Sequence, residues 1–257
     1  MDCERLRRID GMIAILHGPS LDDGVCMEIG FAAARGVPVV ILTTDFQSYG
    51  PRTDGPAFVF PEPLLQMLAA RVERAYRLAP PSRHPSRDRF SAFRGRNIRP
   101  LDAAIDQAVD ALLTAAPHAT PTSHAQRLAF IEPSPYLPDS EWRDVARQLQ
   151  ARDWPVHVAV RLRADMNTHS AIQADWDAFC RSTLAVVDVR GPEAAPGAAL
   201  MIGACTATGR PVLAGYTAGC QTFADGREPN WRNLMIQYAV YGRFTSIGEL
   251  IALTDAL

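Results

Sequence analysis

The sequence predicts an α/β protein with doubly wound parallel sheets of the flavodoxin or Rossmann type, arranged as two similar halves. Short apolar runs that are bounded by glycine, proline or aspartate alternate with helical patterns, as buried strands and their crossover helices do. Residues 12–42 form the series strand–loop–helix–strand, which predicts a right-handed parallel crossover. The frame at 22–40 returns at 195–213, and an internal repeat of this kind indicates two related units.

The two copies of this frame share three glycines, one isoleucine and one proline, but differ in their acidic residues. The shared positions are Gly24, Ile29, Gly30, Gly36 and Pro38 in the first copy, and Gly197, Ile202, Gly203, Gly209 and Pro211 in the second. Asp22 of the first copy is replaced by Ala195, and Glu28 is replaced by Met201. A scaffold that keeps these two carboxylates in only one copy indicates one chemical site and one supporting half.

The first half is predicted to span 1–116. Asp22 or Asp23 can cap the helix after the first strand, Gly36 can end that helix, and Pro38 prevents its continuation. Pro63 suits the first position of a later helix. The predicted elements are a strand at 12–16, the helix up to Gly36, a strand at 39–42, an irregular loop at 45–62, a helix at 64–76, a loop at 79–100 and a helix at 101–115. The loop at 79–100 is predicted because that stretch is rich in proline, arginine and serine.

A linker at 117–123 leads to the second half, which is predicted to span 126–257. Its apolar runs and helical periodicities alternate, as the crossovers of a parallel sheet require. The predicted elements are strands at 128–131, 156–160 and 184–189, and helices at 139–152, 172–179, 197–208 and 246–257. The strand at 128–131 and the helix after it precede Asp175, the counterpart of Asp2, whereas only Met1 precedes Asp2 in this sequence. We therefore expect the first half to be truncated at its N-terminal side.

Composition narrows the classes of function. Acidic and basic residues nearly balance, with a formal net charge of −2, so the sequence offers no electrostatic case for nucleic acid binding. The five cysteines are scattered and show neither metal-ligand spacing nor a disulfide framework, which favours a reducing cytosol. No apolar run is long enough to cross a membrane, and no secretory signal is present. We expect a cytoplasmic protein without a membrane partner, a metal or a cofactor.

Residues 12–46 resemble the nucleoside 2-deoxyribosyltransferases and related N-glycosidases. The pattern is a strand, Gly-Pro, Asp-x-Gly, Glu-x-Gly, Gly-x-Pro-Val and Thr-Asp-Phe. The residues that carry it are Gly18, Pro19, Asp22, Gly24, Glu28, Gly30, Ala34, Gly36, Pro38, Val39, Thr44, Asp45 and Phe46. A second part of the resemblance lies near the C-terminus, where Arg232 is followed by Asn-Leu-Met and then by Tyr238 and Ala239.

The resemblance implies roles for five residues. In the family, the glutamate of Glu-x-Gly is the nucleophile and the aspartate six residues before it lies near the sugar, which gives Glu28 and Asp22. Asp2 stands where the family has an aspartate that contacts the base. The asparagine and methionine of Asn-Leu-Met reach the sugar pocket from a neighbouring subunit, and here they are Asn233 and Met235. The resemblance thus implies a fused pseudo-dimer and allows a homo-oligomer, with a nucleoside and a free nucleobase as its partners.

These residue types fit the cleavage of an N-glycosidic bond. Positive charge develops on the sugar as the base leaves, and a carboxylate on the opposite face can bond to the anomeric carbon. We expect Glu28 near the first turn of its helix, where the positive end of the dipole favours the ionised carboxylate. Each residue also has a structural alternative: Asp22 as a helix cap, Asn233 as the first residue of a helix, and Met235 as core.

Three functions stay open on these grounds. The first is transfer of deoxyribose between bases through a covalent glutamyl–sugar intermediate, and the second is hydrolysis of nucleoside 5′-monophosphates. Relatives of the second kind place a serine after the motif aspartate to hold the phosphate, whereas this chain has Asp23, whose charge would repel it. The third is a non-catalytic module that binds nucleosides or nucleotides. The retained Asp22 and Glu28 favour an enzyme, and the missing N-terminal strand favours a binding module.

Overall fold

Two parallel sheets with flanking helices form the part of the chain that the computed structural model describes. It describes residues 3–17, 21–45, 62–75, 88–117, 126–160, 168–191, 193–217 and 232–257. The strands are β1 (Met12–Leu16), β2 (Val39–Thr43), β3 (Arg71–Arg74), β4 (Gln126–Glu132), β5 (Val156–Val158), β6 (Ser182–Asp188), β7 (Val212–Gly215) and β8 (Gly242–Phe244). The helices are α1 (Cys3–Leu6), α2 (Asp23–Ala34), α3 (Pro63–Leu68), α4 (Arg89–Thr114), α5 (Asp139–Gln150), α6 (Thr168–Arg181), α7 (Pro196–Thr208), α8 (Leu234–Ala239) and α9 (Ile247–Asp255).

The strand order confirms the predicted fold class. The first sheet has the order β1-β2-β3, the second has the order β5-β4-β6-β7-β8, and every pairing between described strands is parallel. The second order is the flavodoxin-like arrangement 2-1-3-4-5, which changes direction between β4 and β6. The first sheet repeats the last three strands of that arrangement. Its β1–β2 register pairs Met12 with Val39, as the β6–β7 register pairs Ala185 with Val212.

The predicted helix at 64–76 is wrong in its second half. Helix α3 ends at Leu68, and residues 71–74 form β3 instead. The helical interpretation rested on Pro63 as a first helical residue, which marks where a helix begins but not where it ends. The backbone N–H of Ala70 donates to the carbonyl of Val39, and β3 then pairs with β2 from Arg71 onward. A strand at the end of a sheet is decided by a neighbour that is distant in sequence, so local periodicity carries little information about it.

The predicted loop at 79–100 is also wrong over residues 89–100, which form the first part of α4; residues 79–87 lie outside the described residues. The carboxylate of Asp88 caps this helix by accepting from the N–H of Phe90 at 2.9 Å. Pro100 sits inside α4 and lacks an N–H, yet the helix continues through it. The later turns of α4 pack against the rest of the protein, since Ala104 and Ala108 are buried.

Helices α2 and α7 pack against each other at the centre of the molecule. A Cβ added to Gly30 would lie 2.0 Å from the carbonyl oxygen of Leu200, and one added to Gly203 would lie 1.9 Å from that of Met27. The contact is reciprocal, because Leu200 precedes Gly203 by the same three positions as Met27 precedes Gly30. Each helix is therefore enclosed by its own sheet and by the other helix, which explains why apolar residues cover most of the surface of both.

Candidate active site

The N-terminal turn of α2 carries the first group of predicted site residues. Asp22 is the N-cap, and its Oδ1 accepts from the N–H of Val25 at 2.9 Å. Asp23 is the first residue of the helix and leaves its carboxylate available for another partner. Glu28 lies in the second turn and not in the first, so the expected influence of the helix dipole on it is small. The structural alternative for Asp22 is thus realised, and it does not exclude contact with a sugar.

The pKa of the Glu28 carboxyl is raised above its usual value. Burial is the main cause, since the side chain is half-buried, and the negative charge of Asp22 adds to it. The raised pKa means that the environment favours the protonated carboxyl more than water does. The side chain is only partly buried, so a ligand can still reach it. A carboxylate in such a place is poorly solvated, and poor solvation makes it a better partner for a developing positive charge.

Helix α8 brings Asn233 and Met235 over the first turn of α2. Asn233 is the N-cap of α8, and its Oδ1 accepts from the N–H of Met235 at 2.9 Å. Its Nδ2 donates to Oδ1 of Asp23 at 2.7 Å. A Cβ added to Gly24 would lie 3.1 Å from the sulfur of Met235 and 3.7 Å from Nδ2 of Asn233. The two residues therefore lie directly over the first turn of α2, about 6 Å along the helix axis from Glu28.

Asp2 lies outside the described residues, as do Gly18, Pro19 and Phe46 of the motif. Asp175, which stands at the corresponding place before β6 in the second half, lies in α6, is buried and makes structural contacts. Its carboxylate accepts from the backbone N–H of Val160 at 3.0 Å and lies 2.7 Å from Nε2 of His157. These contacts tie the end of β5 to α6. The roles of all five predicted site residues stay predictions, and the structure places four of them at one end of α2.

The corresponding end of α7 holds a different acidic group, which the sequence analysis missed. The N-cap Ala195 makes no side-chain hydrogen bond, and Met201 is fully buried. Glu132, the last residue of β4, places its Oε1 only 2.6 Å from where a Cβ on Gly197 would be. Burial raises the pKa of the Glu132 carboxyl to about 8, and the negative charges of Glu62 and Asp175 add to the shift.

Glu62 reaches this second group from the loop before α3. It caps α3 by accepting from the N–H of Leu64 at 3.1 Å, as Asn233 caps α8. Burial also raises the pKa of its carboxyl. The sequence signal that could have located Glu62 is the acid directly before Pro63 at a helix start. For Glu132 no such signal exists, because the last residue of a strand acquires its neighbours only when the sheet has formed.

Replacing Glu132 by glutamine is expected to stabilise the protein at alkaline pH. The folded-state pKa of about 8 lies above the usual value of 4.5, so the folded protein favours the protonated acid. The stability contributed by that proton is complete below the usual value and is lost as the pH rises through the folded value. Thermal unfolding of the wild type and of Glu132→Gln, compared from about pH 4 to about pH 9, measures the effect. A difference in Tm that does not vary with pH would contradict this prediction.

The part of the chain that contains α2 is similar to one known protein family. Residues 1–78 match the family model described as nucleoside 2-deoxyribosyltransferase. The recognition made from the Asp-x-Gly and Glu-x-Gly motifs is thereby confirmed for this part of the chain. The matched nucleoside 2-deoxyribosyltransferase segment includes Asp22, Asp23, Glu28 and Glu62, whereas Asn233 and Met235 lie beyond it.

Two solved structures are similar to the chain. One is a conserved protein from Enterococcus faecalis V583, with 19% sequence identity and a TM-score of 0.41, and the match covers 51% of this chain and 100% of that one. The other is a 2-deoxyribosyltransferase from Bacillus psychrosaccharolyticus, with 14% identity and a TM-score of 0.36, covering 48% of this chain and 89% of that one. No curated protein matches. Among the described residues, no helix combines the length and apolarity needed to cross a membrane.

Proposed function

We propose that this chain cleaves the N-glycosidic bond of a (deoxy)nucleoside and transfers the sugar to another base. The observation that carries the proposal is the convergence of Asn233 and Met235 on the first turn of α2, one turn from Glu28. Glu28 lies in the segment that matches the family, and Asn233 comes from a part of the chain more than a hundred residues beyond that match. That Glu28 and Asn233 lie close together supports an active site to which both halves of the chain contribute.

The proposed chemistry proceeds in two displacements at the anomeric carbon. In the first, an oxygen of the Glu28 carboxylate bonds to this carbon while the C–N bond breaks, and a ring nitrogen of the leaving base takes up a proton, for which Asp2 is the proposed donor. In the second, a nitrogen of the incoming base attacks the same carbon and returns its proton to Asp2, and the ester bond to Glu28 breaks. Two inversions retain the configuration of the sugar, as in retaining glycosidases. Asp2 is the proposed contact for the base, and no cofactor takes part.

We further propose that residues 1–116 and 126–257 are the two halves of a fused pseudo-dimer. The reciprocal contacts of Gly30 with Leu200 and of Gly203 with Met27 support this division. The shared order of β1-β2-β3 and β6-β7-β8 supports it as well. In this arrangement the second half contributes Asn233 and Met235 to the site of the first, as a neighbouring subunit would. The setting that suits such an enzyme is the salvage of nucleosides in the cytoplasm.

One observation favours a non-catalytic nucleoside-binding module as the second candidate. In the second sheet, β6 is flanked by β4, whereas its counterpart β1 has only one partner among the described strands. Ile15 of β1 is also 47% exposed. Hydrolysis of nucleoside 5′-monophosphates gains no such support, because the carboxylates of Asp22 and Asp23 both lie at the N-terminal turn of α2 and would repel a phosphate.

An exchange assay separates these functions. The protein is incubated with deoxyinosine and adenine, in parallel with deoxyinosine monophosphate and adenine, and the products are separated by chromatography. We expect deoxyadenosine from the nucleoside and no turnover of the nucleotide. Hypoxanthine without deoxyadenosine would indicate a hydrolase, and release of hypoxanthine from the nucleotide alone would overturn the preference for nucleosides. Binding of deoxyinosine in calorimetry without any product would favour the binding module.

A further inference from the structure

The side-chain amide of Asn233 has a partner at each of its polar atoms. Its Oδ1 accepts from the N–H of Met235 at 2.9 Å, and its Nδ2 donates to Oδ1 of Asp23 at 2.7 Å. A backbone N–H requires an acceptor and a carboxylate requires a donor, so both partners select the same orientation of the amide. The rotated amide would place its oxygen against a carboxylate and its NH₂ against an N–H.

Asp23 is free to hold this amide because its neighbour caps the helix. Asp22 accepts from the N–H of Val25, and so the first turn of α2 is capped without Asp23. Among the described residues, the bond to Asn233 is the only hydrogen bond of the Asp23 side chain. A carboxylate acceptor makes this bond stronger than one between neutral groups. It also joins residues that are far apart in sequence, so it fixes α8 over α2.

The second N–H of Nδ2 is left without a partner in the described part of the chain. This nitrogen lies 3.7 Å from where a Cβ on Gly24 would be, beside the sulfur of Met235. The point over Gly24 is itself enclosed, by Oδ1 of Asp22 at 3.0 Å and by the sulfur of Met235 at 3.1 Å, but Asn233 is exposed, so its amide can be reached from the solvent side. A ligand oxygen that approaches from that side could accept from the amide while Asp23 and the N–H of Met235 keep the amide from turning. The two carboxylates beside it make a neutral acceptor, such as a sugar oxygen, the suitable ligand group.

We propose that Asp23 is a positioning residue that orients the amide of Asn233 toward a neutral sugar oxygen of the nucleoside. This inference rests on the proposed function, because the sugar is the ligand of that same site. Asp23 acts through Asn233 and does not itself touch the reacting atoms. Removing the carboxylate leaves the N–H of Met235 as the one remaining orienting partner among the described residues, so the amide is held less firmly and the loss should appear wherever Asn233 contributes, and nowhere else.

A double-mutant cycle tests this coupling. The variants are Asp23→Ala, Asn233→Ala, the combination of both, and Asp23→Asn, whose side-chain oxygen can still accept from Nδ2. We expect Asp23→Ala and Asn233→Ala each to lower kcat/KM for deoxyinosine about tenfold, which corresponds to one hydrogen bond to a charged group. The double variant should be no worse than Asn233→Ala, and Asp23→Asn should stay within about threefold of the wild type.

Two results would overturn the proposal: losses that multiply in the double variant, or an Asp23→Asn variant as impaired as Asp23→Ala. The first would mean that Asp23 acts independently of Asn233, and the second would mean that its charge and not its hydrogen bond matters. If the wild type turns over no nucleoside, the proposed function fails, and the same variants are compared by urea unfolding. A coupled effect on the free energy of unfolding would then support the Asp23–Asn233 contact, and an additive effect would overturn it.

Discussion

Glu28→Ala is expected to lower the rate of base exchange by a factor on the order of a thousand or more, because it removes the only group proposed to bond to the anomeric carbon. The loss should fall on kcat, since the substituted residue is needed for the chemical step. Steady-state kinetics with deoxyinosine and adenine measures it. Glu28→Gln, which keeps the size of the side chain but not its nucleophilicity, should be equally inactive.

The control for this experiment is the unfolding temperature of the Glu28 variants, which shows whether they fold as the wild type does. Glu28 is half-buried, and its side chain forms no hydrogen bond with another described residue that would hold α2 in place. We therefore expect both variants to unfold at a temperature close to that of the wild type. In the wild type, the raised pKa of Glu28 should give an acid limb in which activity rises with pH through a value above 4.5. A Glu28→Ala variant that retains most of the wild-type rate would show that the nucleophile lies elsewhere.

The largest effect on stability is expected from Gly30→Ala and Gly203→Ala. Each added Cβ would fall about 2 Å from a backbone carbonyl oxygen of the facing helix, well inside van der Waals contact. Because a backbone carbonyl cannot move aside as a side chain can, α2 and α7 would have to separate. We expect each substitution to destabilise the protein by about 3 kcal/mol, measured by urea unfolding.

Gly95→Ala is the matched control, because Gly95 also lies within a helix but an added Cβ there meets nothing within 4 Å. An alanine at an open position inside a helix is expected to stabilise the protein by up to about 1 kcal/mol. The three glycine-to-alanine changes therefore differ in sign according to what surrounds the new methyl group. Equal effects at Gly30 and Gly95 would show that α2 and α7 are not in close contact.

Much of the fold could be predicted because its signals are local. Short apolar runs between glycine, proline and aspartate marked β1, β2, β4 and β6, and small residues next to Gly30 and Gly203 marked the helices that pack closely. The cap of α2 could be predicted as well, since an aspartate before a helix binds the N–H groups of the first turn. The strand β3 was not legible, because it exists only by pairing with β2. The first turns of α4 were missed because a proline-containing, exposed stretch has the composition of a loop.

The candidate acids could be identified from the sequence alone, since the motifs of Asp22 and Glu28 are a few residues long and both lie at one helix, α2. The sequence also determined that the second copy lacks both. Only the tertiary structure decided their surroundings: that Asn233 binds Asp23, and that Glu132 and Glu62 come together at α7. The physical reason is the range of the interactions. Caps and helix periodicity act over a few residues, whereas hydrogen bonds and charges between distant segments exist only after the chain has folded.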